Sequence, residues 1–231
     1  MSRLLLFDID GTLINTDGAG RHALELSFME CTGRDISPID YPLCGKTDLM
    51  IINELLGILG LEAGETLIED IIEAYTLILP YELKIAENPM VLPGVSELLQ
   101  LLKKRSDCRL GLLTGNVQAG AQIKLDFFQL ADFFETGGFG DDAVLRSDIF
   151  PFAFNRCCRK FRCEFSKDDI FLIGDAPGDI SCARDNGVKI ICVETGGTPR
   201  EVLSGMNPDH LLTDLTDDGE FMGIIFTGTG S

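Results

Sequence analysis

Residues 3–12 read RLLLFDIDGT: four apolar residues, Leu4 to Phe7, run straight into two aspartates one residue apart, with Gly11 and Thr12 behind them. Continuous rather than alternating apolarity marks a strand covered on both faces, as in a parallel sheet. A carboxylate at the mouth of a buried strand costs free energy unless something compensates it. Asp8 and Asp10 therefore read as functional acids rather than as acids of a passing loop.

The same pattern returns along the chain, in RLGLLTG (109–115), IFLIGD (170–175), KIICVETG (189–196) and, more weakly, HLLTD (210–214). Between these runs, apolar residues recur at helical spacing over 93–105, 117–130, 150–161 and 178–186, the last closed by Gly187. Strand and helix in alternation imply an α/β fold, a Rossmann-like parallel sheet with helices on both faces. Residues 17–89 break the alternation. They carry helical periodicity over 19–31, 47–59 and 66–79, with Thr66 and Glu69 at capping-box spacing, and show no strand pattern. The expected organisation is a catalytic core of residues 1–16 and 90–231, with a helical cap domain, 17–89, inserted after the first strand. The tail FTGTGS (226–231) is expected to fray.

With 231 residues and 45% apolar content, the chain can build a sizeable core. Its formal charge of -18, from 37 acidic and 19 basic residues, argues against nucleic-acid binding and against an anionic membrane surface. No apolar stretch reaches the length of a membrane span or of a secretory signal, so a cytoplasmic protein is expected. Eight cysteines stand outside any Cys-x-x-Cys pair, beside only two histidines. They read as reduced packing residues rather than disulfides or metal ligands.

In an open parallel sheet, ligands bind beyond the carboxyl ends of the strands. That rule gathers Asp8 and Asp10, then Thr114, Gly115 and Asn116, then Asp175 and Asp179 on one rim. Four carboxylates this close repel one another unless a cation intervenes. Oxygen donors without histidine or cysteine favour magnesium. A phosphate dianion can then enter an acidic protein, because the metal and a basic side chain supply local positive charge.

The D-x-D-G-T string at 8–12, the apolar strand ending in Thr114 with Gly115 and Asn116 after it, and G-D-x-x-x-D at 174–179 resemble three of the four motifs of the haloacid dehalogenase superfamily. The helical insertion resembles the cap of its phosphoglycolate phosphatase-like and beta-phosphoglucomutase-like branches. The resemblance implies that Asp8 attacks phosphorus to form an aspartyl phosphate, and that Asp10 serves as the acid and then the base. It implies a magnesium ion held by Asp8, the backbone carbonyl of Asp10 and Asp175, with Asp179 as a further ligand or a support behind them. Thr114 and the amides of Gly115 and Asn116 would bind phosphoryl oxygens. The lysine that the family places before its last motif, often followed by Pro-x-Pro, has no counterpart string here. Arg146, in LRSDIFPFAF, takes that place, with Lys124 and Lys160 as alternatives. Lys46, in CGKT (44–47), is a candidate substrate contact weighed against a solvated turn, as are Arg21 and His22.

The expected activity is that of a magnesium-dependent phosphoric monoester hydrolase acting on a small phosphorylated metabolite, as a monomer or homodimer. A sugar phosphomutase of the same family is the alternative. From other classes, a phospho-accepting signalling receiver or a non-catalytic binding protein would use a similar acidic cluster, and turnover of small esters separates these from an enzyme.

Overall fold

The computed structural model describes residues 2–227. Its elements in chain order are β1 (Arg3–Phe7), β2 (Ile14–Asn15), α1 (Ala19–Thr32), α2 (Asp48–Ile58), α3 (Glu65–Ile85), β3 (Met90–Val91), α4 (Val95–Lys103), β4 (Cys108–Leu113), α5 (Gln118–Phe127), β5 (Gly137–Gly138), α6 (Arg146–Phe161), β6 (Ile170–Gly174), α7 (Pro177–Asn186), β7 (Lys189–Val193), α8 (Arg200–Gly205), β8 (His210–Leu212) and α9 (Asp218–Thr227).

The apolar runs pair side by side into one sheet of order β5-β4-β1-β6-β7-β8, in which every pairing is parallel. Phe7, at the end of β1, is level with Leu112 on one side and Ile173 on the other. The residues that follow these three strands therefore leave the sheet at one rim. Side chains alternate across the sheet, as a strand requires. Leu5 and Phe7 pack with Leu98 and Leu102 of α4, Leu125 of α5 and Phe221 of α9. Leu4 and Leu6 pack on the other face with Ile149 and Ala153 of α6 and Ile180 of α7. Each such fully buried side chain contributes about 1.5–3 kcal/mol by leaving water. Helices thus cover both faces, and β1 is apolar throughout because neither face meets solvent.

The helices α1, α2 and α3 share a separate apolar cluster, with Phe28, Ile52, Leu55, Tyr75 and Leu79 at its centre, which Val117 of the sheet's rim also joins. The chain enters and leaves this segment beside the two-stranded antiparallel pair of β2 and β3, with Ile14 opposite Val91. Periodicity could not reveal strands two residues long.

Three local expectations are corrected. The capping box at Thr66 does not form: α3 begins at Glu65 behind Gly64, so Thr66 is already in the first turn, and the cap position has no side-chain bond. The same helix runs through Pro80 to Ile85 instead of stopping at 79. Helix α6 begins at Arg146, four residues before the expected start, with Pro151 inside it. The Ser147 carbonyl, which a proline at 151 leaves without its helical donor, accepts from the Asn186 side chain at 3.0 Å. Of the tail expected to fray, Phe226 and Thr227 belong to α9, and residues 228–231 lie outside those described.

No helix among the described residues is long and apolar enough to cross a membrane. All eight cysteines are free; Cys108, Cys157, Cys182 and Cys192 are buried packing residues, whereas Cys44 is exposed.

Candidate active site

At the end of β1 the Asp8 amide donates to the Ile173 carbonyl at 2.9 Å, which ties the strand end to β6. The chain then turns: Ile9 is buried, and its carbonyl accepts from the Leu13 amide at 2.8 Å. Gly11 has φ +79°, and a Cβ there would lie 2.5 Å from an Asp175 carboxylate oxygen. Only glycine satisfies both the left-handed backbone and that approach. One residue on, the Thr12 hydroxyl donates to Asp175 Oδ1 at 3.1 Å. This is a site role for the D-x-D-G-T threonine that the sequence reading had not assigned.

The turn brings carboxylates from two strand ends together. Asp8, Asp175 and Asp179 are all buried, and each offers a carboxylate oxygen within 4.8 Å of the others. Arg146, the first residue of α6, points into the group. One of its terminal nitrogens lies 3.0 Å from Asp8 Oδ1 and 2.5 Å from Asp179 Oδ1, and donates to the Leu113 carbonyl at 3.3 Å. Its buried Nε has no partner among the described residues. The second oxygen of Asp179 accepts from the Ala176 amide at 3.0 Å and so closes the start of α7. Asp179 thus closes the helix start, and Asp175 faces Asp8.

Burial, with Asp8 and Asp179 alongside, pushes the Asp175 carboxyl up to about 8. Burial also raises Asp179, against the opposing pull of Arg146. Burial would lower Arg146, but Asp179 and Asp8 outweigh it and the net shift is upward. Three carboxylates against one guanidinium leave negative charge that a small cation would neutralise, and an all-oxygen donor set suits a hard divalent ion. The residues present fit such a metal.

A second cluster surrounds Asp10. Lys124 of α5 places Nζ 2.9 and 2.7 Å from the two Asp10 carboxylate oxygens and 2.6 Å from Asn116 Oδ1. The Asn116 amide nitrogen donates to Asp10 Oδ2 and to the Thr114 hydroxyl, both at 2.8 Å. Lys124 is buried. Burial alone would lower its pKa, but Asp10, Tyr75 and Asp48 outweigh that and raise it. Asp48, at the start of α2, accepts from the Val117 amide at 2.8 Å, and burial pushes its carboxyl up to about 6. Neither Asp48 nor Tyr75 was singled out from sequence. An acid following Thr47 looks like ordinary helix-start chemistry, and Thr47 does cap α2 by accepting from the Met50 amide at 3.0 Å.

Both clusters open into one cavity of about 270 Å³, lined by Asp8, Asp10, Lys124, Arg146 and Asp175 below and by Arg21, Lys46, Tyr75, Leu24 and Ile52 above. Lys46 is thus at the cavity rather than on a free turn, with Nζ 2.5 Å from Glu54. Arg21 stacks on the Tyr41 ring at 4.2 Å and donates to the Tyr41 carbonyl. His22 pairs with Glu82 at 2.8 Å and lies outside the cavity lining. Lys160 pairs with Glu135 at 2.9 Å and is likewise outside it. Cys44 lines the cavity with its thiol 3.9 Å from Asp175, so it is not the packing residue expected of it. In the turn after β5 the Asp141 carboxylate accepts from the Gln118 amide, and Asp142 accepts from the Arg156 guanidinium.

The Haloacid dehalogenase-like hydrolase family model matches residues 5–193. A phosphoglycolate phosphatase from Nitrosospira multiformis is 26% identical over 216 residues, 92% of each chain. A hydrolase from Pseudomonas syringae superposes with a TM-score of 0.71 at 19% identity, over 97% of this chain and 99% of that one. CbbY from Rhodobacter sphaeroides, solved in complex with phosphate, does so with 0.65 at 19% identity, over 95% and 97%. At such identities the two structures speak for the fold alone, while the family match spans most of the chain, every carboxylate of the two clusters included. The chain belongs to the haloacid dehalogenase-like hydrolase family.

Proposed function

We propose that this hydrolase is a magnesium-dependent phosphomonoesterase acting on a small phosphorylated metabolite, with Asp8 as nucleophile and Asp10 as acid and base. The observation that carries the reading is the meeting of Asp8, Asp175 and Asp179 oxygens within 4.8 Å, with Asp10 two residues on and facing the same cavity. The phosphoglycolate phosphatase relative, which matches along nearly its whole length, supports a small phosphomonoester as substrate.

Asp8, the Asp10 backbone carbonyl and Asp175, with Asp179 behind or beside them, would hold the metal, which supplies positive charge to the phosphoryl oxygens when bound. In the first step an Asp8 oxygen bonds to phosphorus, the bond to the ester oxygen breaks, and Asp10 gives that oxygen its proton. In the second, Asp10 takes a proton from water as the water oxygen attacks phosphorus, which frees phosphate and restores the Asp8 carboxylate. Arg146 neutralises Asp8 and Asp179 and offers a fixed fork to phosphoryl oxygens. Residues 17–89 act as a cap, and its closure over the rim excludes bulk water.

The test is turnover of a panel of phosphate esters by purified protein with magnesium and with chelator, beside Asp8→Asn. Release of phosphate that needs magnesium and vanishes in Asp8→Asn is the expected result. Equal rates for the two proteins would overturn the reading.

A further inference from the structure

Lys124 is a fully ionisable side chain buried in α5, and no step above employs it. A buried ammonium is costly unless every proton is engaged. Here the three are: they reach both oxygens of Asp10 and the side-chain oxygen of Asn116. Asp10, by contrast, has a side chain 41% exposed, lining the cavity, and among the described residues its only other side-chain hydrogen-bond partner is Asn116, which Lys124 also grips. The lysine is thus the fixed point of the group and the aspartate the part that would swing without it. The phosphoryl end of the site has its own cation in Arg146, which contacts Asp8 and Asp179, whereas Lys124 touches neither.

We infer that Lys124 is a positioning residue for Asp10. Its two contacts set the plane of the carboxylate and aim it across the cavity at the ester oxygen of the leaving group, rather than gripping the phosphoryl group. The inference rests on the phosphomonoesterase reading, because it assigns to Lys124 a part in that reaction's proton delivery. Its physical content is that the loss on removing Lys124 depends on the leaving group. An alkoxide departing from phosphorus needs a proton at once, whereas p-nitrophenolate departs without one. A lysine that bound phosphoryl oxygens, or that only held the fold together, would serve both esters alike.

The experiment measures kcat/KM for an alkyl monophosphate and for p-nitrophenyl phosphate in the wild type, Asp10→Asn and Lys124→Met, since kcat/KM reports only the steps through transfer to Asp8. General acid catalysis contributes about 10²–10⁴-fold, so Lys124→Met is expected to lose roughly 100-fold on the alkyl ester and less than about fivefold on the nitrophenyl ester, following Asp10→Asn in its selectivity. Inhibition by inorganic phosphate should stay within about twofold of wild type, because no phosphoryl contact is removed. Equal losses on the two esters, or phosphate inhibition weakened in step with activity, would overturn the inference. Lys124→Gln, which keeps a donor toward Asp10 without the charge, is read by the same ratio should the methionine variant not fold. A wild type that turns over neither ester with magnesium would instead overturn the phosphomonoesterase reading itself.

Discussion

The backbone of Lys46 lies against Gly115. A Cβ on Gly115 would sit 2.0 Å from the Lys46 carbonyl oxygen, and beside that contact the Asp48 amide donates to the Gly115 carbonyl at 2.8 Å. The loop that carries Lys46 over the cavity is therefore seated on the turn that follows β4. The missing side chain of Gly115 is what lets the two backbones touch.

Gly115→Ala should lift this loop, because the clash is with backbone and no side chain can turn away. A displacement of about 1 Å at a site that positions substrate costs on the order of 100-fold in rate. Steady-state kinetics should show that loss in kcat/KM, while thermal unfolding changes little by comparison. A variant with wild-type kinetics would mean that the seating of the loop does not matter to turnover.

Asp10→Asn keeps the size and the hydrogen bond from Asn116 but cannot exchange a proton. Loss of acid and base catalysis is expected to lower kcat on alkyl esters by about 10²–10⁴-fold. Isotope-labelled phosphate retained on the acid-quenched protein should show whether the aspartyl phosphate forms slowly, breaks down slowly, or both.

The stability of the metal-free protein should fall as the pH is raised. Asp175 is held near 8 in the fold, against an ordinary value of 3.8, by burial and by Asp8 and Asp179. The folded state therefore binds this proton more tightly than the unfolded chain does. The stability that the proton contributes is fully present below about 4 and is lost as the pH rises through about 8. Asp48 and Asp179, raised to about 6, act in the same direction over the lower part of that window. Between about 6 and 8 Asp175 dominates. Thermal melts should show a falling midpoint over that range without magnesium, a flatter dependence with it, and little dependence in Asp175→Asn.

Removing Arg146 should leave Asp8 and Asp179 buried without their partner. Loss of one side of a buried ion pair costs about 3–5 kcal/mol, so Arg146→Met should unfold at much lower urea. Arg146→Lys should recover only part of this, since the shorter lysine side chain does not carry its ammonium to the place where one guanidinium nitrogen meets Asp8, Asp179 and the Leu113 carbonyl. Urea midpoints of the two variants, compared with and without magnesium, test it.

By itself the sequence determined the parallel sheet, its flanking helices and the rim on which the acids gather. Strands covered on both faces must be apolar throughout, and a charged residue ending such a strand stands out against that background. Asp8 and Asp175 stood out for this reason, whereas Thr114 and Arg146 became candidates only through the resemblance of the motifs around them. The tertiary structure alone decided which charges meet. Lys124 looks like any lysine late in a surface helix, and Asp48 like any acid opening one; both acquire their meaning when α2, α3 and α5 close around Asp10. Pairing of charges depends on distances across the fold, which spacing along a chain does not encode, whereas burial of a strand is written in every residue of it.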